Sequence, residues 1–205
     1  MNIHIGCEHK IGKNWKNYDV TYVAVFEKLP IIGKLIKINS RRYPSELLYG
    51  NICNSMLCEE NTADNIFCSH TLEHMPKESM ILALKNIYKM LKQNGCFRLV
   101  VPNLKVRAEH YVRTKNADQF IETIGMGQRK YANNLLDKLR GLFGNSLHKW
   151  MYDEKSMTNY LSEAGFKNIR KCKFNDSGIE AFSEVEDLHR FIDGDFEEVA
   201  LQCTK

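Results

Sequence analysis

Residues 65–102 read NIFCSHTLEHMPKESMILALKNIYKMLKQNGCFRLVVP, and this stretch decides the fold. Asn65 to Cys68 is a short apolar run that suits a buried strand. Pro76 fits a first helical turn, where its missing N–H costs nothing. Met80, Ile81, Leu84, Ile87, Tyr88 and Leu91 then recur at helical spacing. Asn94-Gly95 reads as a C-cap pair, because glycine enters the left-handed region freely. Cys96 to Val101 is a second apolar run, rich in β-formers and stopped by Pro102. Strand, helix and strand joined this closely predict a parallel βαβ unit with a right-handed crossover.

Working outward, Asn2 to Gly6 is a first strand, with Gly6 at its C-terminal end. In an open α/β sheet that edge is where ligands bind, and glycine there lets backbone approach a cofactor. Trp15 to Val20 follows quickly, and Glu46 to Ile52 reads as a third strand. Val20 to Ile38 is apolar with interspersed lysines and is broken by Pro30 and Gly33. It reads as a helix covering the sheet; the rival reading is a pocket wall or a patch for peripheral membrane contact. Asp153 is an N-cap for a helix whose stripe is Met157, Tyr160, Leu161 and Ala164, closed by Gly165-Phe166. Asn168 to Phe174 and Glu197 to Cys203 are further strands, and the modest apolarity of the closing VALQC suits a sheet edge.

Composition narrows the classes. The chain has 205 residues, one domain's worth, with a net charge of +4 and no linker-like tract. Its Lys and Arg are dispersed, whereas a nucleic-acid partner calls for a basic face. No pair of the seven cysteines is spaced Cys-x-x-Cys, and their positions fit no zinc template, so no metal site is expected. Free thiols and the lack of a signal peptide point to a reducing, cytoplasmic setting. No apolar run approaches the ~20 residues that span a bilayer. Gly6 followed by Gly12-Lys13-Asn14 approaches a phosphate-binding loop, but the gap holds five residues instead of four, and Asn14 stands where Ser or Thr would bind Mg²⁺.

Ser69-His70-Thr71-Leu72-Glu73-His74 after a strand, then Leu91-Lys92-Gln93-Asn94-Gly95, then Arg98-Leu99-Val100-Val101-Pro102-Asn103-Leu104, resembles class I S-adenosylmethionine-dependent methyltransferases, in their compact type 11-like subgroup. The resemblance covers most of the chain, and the six-residue block is its most specific part. It implies a three-layer α/β sandwich with a mostly parallel, seven-stranded Rossmann-like sheet and an antiparallel pair at the edge. It implies one domain over residues 1–205, with 104–150 as a substrate-covering insertion, and S-adenosylmethionine as cofactor. By the same resemblance Gly6, Cys7 and Glu8 form the loop after the first strand. The family usually has a second glycine where Glu8 stands. A carboxylate there either meets the ammonium of the cofactor's methionine portion or blocks the site. Asp19, in a segment similar to the family's "GWxNxD", would accept from the ribose hydroxyls. Asn51, beside Ile52, stands where an acid usually meets the adenine amino group, and keeps an acceptor without the charge. Ser69 and His70 would face the reactive methyl.

His70 is a candidate general base, since imidazole titrates near neutrality, or else only positions backbone. Glu73 and His74 are read as orienting the loop. His148, in a stretch similar to the family's "H-x-x-x-Y-D", would sit at the site's mouth as a second candidate base or a substrate contact. Arg107, His110, Tyr111 and Arg113 are candidates for recognising an acidic or hydroxylated acceptor, or a solvated helix face. Leu135, Leu139 and Leu142 suggest a further helix with Arg129, Lys130, Lys138 and Arg140 on its wet side. Glu184, Glu186, Asp187 and Arg190 read as a solvated helix or loop. The expected function is methyl transfer to a small molecule, with an oxygen of a sugar or glycan precursor as acceptor. The alternatives are a non-catalytic methyltransferase-like binding module with a decayed cofactor site, and an RNA methyltransferase, which lacks a basic stripe here.

Overall fold

A computed structural model describes residues 1–29, 42–127 and 147–205. The suggested helix around Leu135 and the Pro30–Ile38 part of the apolar segment lie outside the described residues. The strands are β1 (Asn2–Ile5), β2 (Trp15–Asp19), β3 (Leu48–Tyr49), β4 (Ala63–Ser69), β5 (Leu91–Val101), β6 (Lys167–Lys171), β7 (Ile192–Asp193), β8 (Phe196–Glu197) and β9 (Val199–Thr204). The helices are α1 (Tyr22–Glu27), α2 (Lys77–Met90), α3 (Leu104–Thr114), α4 (Ala117–Thr123), α5 (Glu154–Glu163) and α6 (Leu188–Phe191). Seven strands make one sheet in the order β3-β2-β1-β4-β5-β9-β6, and β7 pairs with β8 apart from it. All pairings from β3 to β5 are parallel, and β9 runs antiparallel to both neighbours. The closing strand is therefore one in from the edge. Its modest apolarity reflects small residues; Val199, Ala200, Leu201 and Cys203 are all buried, while the true edge, β6, is largely exposed.

Alternation along β4 builds two cores. Ile66 and Cys68 face α2 and α5, joining Met80, Leu84, Ile87, Leu161 and Phe166. Phe67 faces the other way, with Trp15, Val100, Phe182, Val185 and Phe191. That second face is covered by the segment between β6 and β7, a 3₁₀ turn at Glu180–Glu184 followed by α6. This corrects the reading of that segment as solvated. Sheet-facing aromatics need a lid, and Phe182, Val185 and Phe191 supply it, with Trp15 Nε1 donating to Ala181 O at 3.1 Å.

The α2–β5 joint also differs from expectation. The helix ends at Met90, and β5 begins at Leu91 opposite Ala63. Asn94, not Gly95, takes the left-handed conformation, with φ +63°. Gly95 is required for a different reason: a Cβ there would lie 2.9 Å from Lys92 O and 3.2 Å from Ala63 O. The pair makes an irregularity at the start of β5, where the β4–β5 register shifts between Ala63 and Asn65. No helix among the described residues is long and apolar enough to cross a membrane.

Candidate active site

The C-terminal ends of β1, β2, β3 and β4 lie side by side, so the loops that follow them share one rim. At Gly6 (φ +71°) the chain turns back, and the Gly6 and Cys7 amides both donate to Tyr18 O, at 2.8 and 3.3 Å. A Cβ on Gly6 would sit 1.8 Å from Thr71 Oγ1, so glycine is demanded by both φ and space. Asp19 locks this loop to β2: Oδ2 accepts from Glu8 N at 3.1 Å and Oδ1 from Thr21 N at 3.0 Å. Burial raises the Asp19 pKa, against the pull of those two N–H groups. Each carboxylate oxygen keeps a further lone pair for a ligand hydroxyl.

A cleft of about 240 Å³ opens here, lined by Gly6, Cys7 and Glu8 from the first loop, Ser69 from the end of β4, and Asp187 and Arg190 from the lid segment. Burial pushes the Cys7 thiol up to about 12, so it is a neutral wall. Glu8, in the left-handed region at φ +46°, sends its carboxylate across the cleft to Arg190, Oε2 to Nη2 2.6 Å. Arg190 and Glu8 had no expected connection; nothing in local spacing links residues at opposite ends of a chain. Asn51 and Ile52 are placed differently. Asn51 Oδ1 accepts from Cys53 N at 3.0 Å and caps a turn, and the Ile52 side chain is buried in the core.

Past Ser69 the chain enters a second polar cluster. His70 adopts φ +48°; its Nε2 lies 2.8 Å from Arg190 O and its Nδ1 3.5 Å from Glu73 Oε1. Burial opposes a charged His70 ring, but the Glu73 carboxylate and the Arg190 carbonyl outweigh it and raise the pKa. Both ring nitrogens thus face protein groups. Glu73 is fully buried, and neither of its oxygens has a hydrogen-bond partner among the described residues. His74 Nε2 is 3.9 Å from Glu73 Oε1, and the His148 ring stands edge-on to His74 at 5.0 Å. His148 Nδ1 lies 2.7 Å from Ile124 O; burial lowers its pKa, with Glu73 opposing. Residues 70–74 and His148 are brought together because the Lys149 and Trp150 amides both donate to Glu73 O.

The arginine of α3 that was a recognition candidate is spoken for. Arg107 is buried and forks onto Glu198 at 2.7 and 2.8 Å, with Asp193 at 3.1 Å. Arg98 does the same beneath the lid, with Glu186 at 2.6 Å and Asp176 at 3.0 Å. Both acids sit far away in sequence, so only the hydrophobic flanks of each arginine hinted at burial.

A family model described as "Methyltransferase domain" matches residues 16–171. The chain belongs to this methyltransferase family. It is a methyltransferase whose cofactor is S-adenosylmethionine. The matched span begins after the Gly6–Glu8 loop, the place where this chain departs from the usual second glycine. Among solved structures, an S-adenosylmethionine-dependent methyltransferase from Mesorhizobium loti is 10% identical with a TM-score of 0.51, covering 100% of this chain and 90% of that one. A methyltransferase from Thermotoga maritima described as a possible histamine N-methyltransferase is 14% identical with a TM-score of 0.50, covering 100% and 81%. PigF, solved with SAH, is 13% identical with a TM-score of 0.51, covering 100% and 55%. At these identities the likeness is one of fold. No curated protein sequence matches the chain.

Proposed function

We propose that the Gly6–Glu8 cleft holds the methionine and ribose parts of S-adenosylmethionine and that the methyl group passes to an oxygen of a small hydroxylated acceptor. The observation that carries this reading is the opposed pair Glu8 and Arg190 across the cleft. The methionine portion of the cofactor bears one ammonium and one carboxylate. An acid and a guanidinium facing each other across the cleft are the matching set, and ligand entry would exchange one ion pair for two. Asp19, held at the end of β2 beside the loop, would then take the ribose hydroxyls. Asn51 would contribute to the adenine side through backbone and its amide nitrogen, since its amide oxygen is engaged.

Cofactor chemistry supplies an electrophilic methyl on sulfur; the chain's own part is to orient it and to exclude water. Ser69 and His70 lie where β4 ends at the cleft, so the acceptor approaches past them. His70 acts as a positioning residue, because its nitrogens are engaged by Arg190 O and Glu73. Holding the nucleophile and methyl carbon in line provides the main rate gain. His148, the other candidate base, lies on the acceptor side, and residues 104–150 would cover the acceptor there. A sugar or glycan-precursor hydroxyl fits this polar mouth, beside the exposed Trp150 ring.

Calorimetric titration with S-adenosylmethionine and with S-adenosylhomocysteine tests the cofactor half. Micromolar binding is expected, weakened about tenfold or more in Asp19→Ala and in Glu8→Gln. No binding of either ligand by folded protein would move the reading to a decayed, non-catalytic site. Release of S-adenosylhomocysteine with a panel of sugars and nucleotide sugars tests the acceptor half; turnover only with amines or RNA would overturn the oxygen acceptor.

A further inference from the structure

We propose that Glu73, His74 and His148 form a binding site for a divalent transition-metal ion of the zinc type. One ligand atom from each of the three lies within 4.8 Å of the others. A tetrahedral ion with bonds of about 2.0–2.1 Å wants its ligand atoms about 3.3 Å apart, so the three side chains must draw together when it binds. Two independent features point the cluster at an ion. The first is Glu73, a fully buried carboxylate with no hydrogen bond to either oxygen. Such a group is costly to bury alone and is ordinarily paired or metal-bound. The second is the tethering of both imidazoles. His148 Nδ1 lies 2.7 Å from Ile124 O and His74 Nδ1 3.2 Å from Leu147 O. A ring nitrogen at that distance from a carbonyl carries the proton, which leaves Nε2 with the lone pair. This backbone-to-imidazole anchoring is how metal-ligating histidines are oriented.

The seat of His148 is built closely. A Cβ on Gly125, where φ is +67°, would lie 2.6 Å from the ring's Nδ1, so glycine leaves room for the ring. His148 N also donates to Gly125 O at 2.9 Å. Two imidazoles and one carboxylate favour zinc and its transition-metal neighbours over Mg²⁺ or Ca²⁺, which prefer oxygen-only shells. Three protein ligands leave a fourth position for water or an oxygen of a ligand. His74 and His148 are only half-buried, so an ion has a path in. His70 Nδ1 stands 3.5 Å from Glu73 Oε1, the same oxygen that His74 Nε2 approaches at 3.9 Å, and helps orient the carboxylate. A search among cysteines alone overlooks this site, since its ligands are histidine and glutamate. The inference stands whether or not the cofactor cleft works as proposed.

The test uses the full chain, stripped with a chelator and dialysed against Zn²⁺, with metal measured by atomic absorption. About one tightly held equivalent is expected, with affinity falling about tenfold or more in His148→Ala and in Glu73→Gln. His189→Ala, an exposed histidine outside the cluster, leaves binding unchanged. Co²⁺ in place of Zn²⁺ should give a visible band without a thiolate charge-transfer band. If Glu73→Gln does not fold, Gly125→Ala, which keeps every donor and displaces the His148 ring, takes its place. No bound equivalent, equal affinity in His148→Ala, or a thiolate band from one of the free cysteines would each overturn the proposal.

Discussion

Two buried glutamates at the same rim of the sheet have opposite surroundings. Glu198 is 1% exposed and accepts from both Nη groups of Arg107 and from Asn103 N. Arg107 is satisfied in turn by Thr123 O at 2.8 Å and by Asp193, with the Phe196 ring 4.9 Å away. Glu73 is 0% exposed, and no hydrogen bond of ordinary geometry reaches either oxygen. Its neighbours are imidazoles held back at 3.5 and 3.9 Å. A paired buried charge is part of the architecture: it ties α3 to the start of β9. A loosely paired one, with only imidazoles at 3.5 and 3.9 Å, leaves room for a further partner such as the proposed ion. The difference is between a closed ion pair and an open one along one edge.

The comparison is most sharply tested by removing the cation from the satisfied side. Arg107→Met strands Glu198 as an uncompensated buried charge and should cost about 3–5 kcal/mol in urea unfolding. Arg107→Met with Glu198→Leu should recover most of that, because the cost lies in the orphaned partner. A single-variant loss below about 1 kcal/mol would break the comparison at its root. On the other side the sign reverses. Glu73→Met removes a buried carboxylate that accepts no hydrogen bond of ordinary geometry, so in chelator-treated protein it should raise stability by about 1–3 kcal/mol. Added Zn²⁺ should stabilise the wild type and leave Glu73→Met unmoved, since only a folded state that binds the ion gains. Equal destabilisation by Glu73→Met and Arg107→Met would make Glu73 a structural residue.

His4 shows a third way to bury an ionisable group, which is to keep it neutral. It sits between Trp15 and Phe67, 2% exposed, and burial lowers its pKa to about 3, with the Arg190 charge adding to the effect. The folded-state value is below the unfolded one, so below pH 6.5 the unfolded chain takes up a proton that the folded chain refuses. Stability therefore falls as pH drops from about 6.5 towards 3, by about 1.4 kcal/mol per unit and so about 2 kcal/mol at pH 5. His4→Phe should flatten that slope in a series of urea melts. A slope unchanged in His4→Phe would assign acid lability to other groups.

How much of this was legible in the sequence follows from the range of each interaction. The βαβ unit around Asn65–Pro102, the first two strands and the Asp153 helix are local patterns, and all appear in the structure. The positions of Gly6 and Asp19 at the rim were legible because they stand at strand ends. The Asn94-Gly95 joint was misread in detail because two reasons for glycine, φ and close approach, look alike in sequence. Partner choice was out of reach. Arg98 finds Glu186 and Arg107 finds Glu198 only after β9 inserts between β5 and β6. Glu73 sat in plain view in the SHTLEH block, yet its lack of a close hydrogen bond is a property of packing, and His148 joins it through the Lys149 and Trp150 amides and the His74–Leu147 contact.

The smallest effect supplies the half-buried reference for the others. Asp153 caps α5: its Oδ1 accepts from Ser156 N at 2.7 Å, and Ser156 Oγ accepts from Asp153 N at 3.1 Å. The Ser156 N–H holds the Asp153 carboxyl below its usual pKa. This carboxylate is as well satisfied locally as Glu198, but water reaches it. Asp153→Ala should therefore cost about 1 kcal/mol in urea unfolding at pH 7, the ordinary worth of a cap. The folded-state pKa is depressed, so the contribution is present above the unfolded value and fades as pH falls through the folded one. The cost in Asp153→Ala should thus shrink under acid, opposite in origin to the His4 effect. A loss at Asp153 as large as that at Arg107 would mean that partners, not burial, set the scale of these energies. The loose pairing of Glu73 would then need no ligand to explain it.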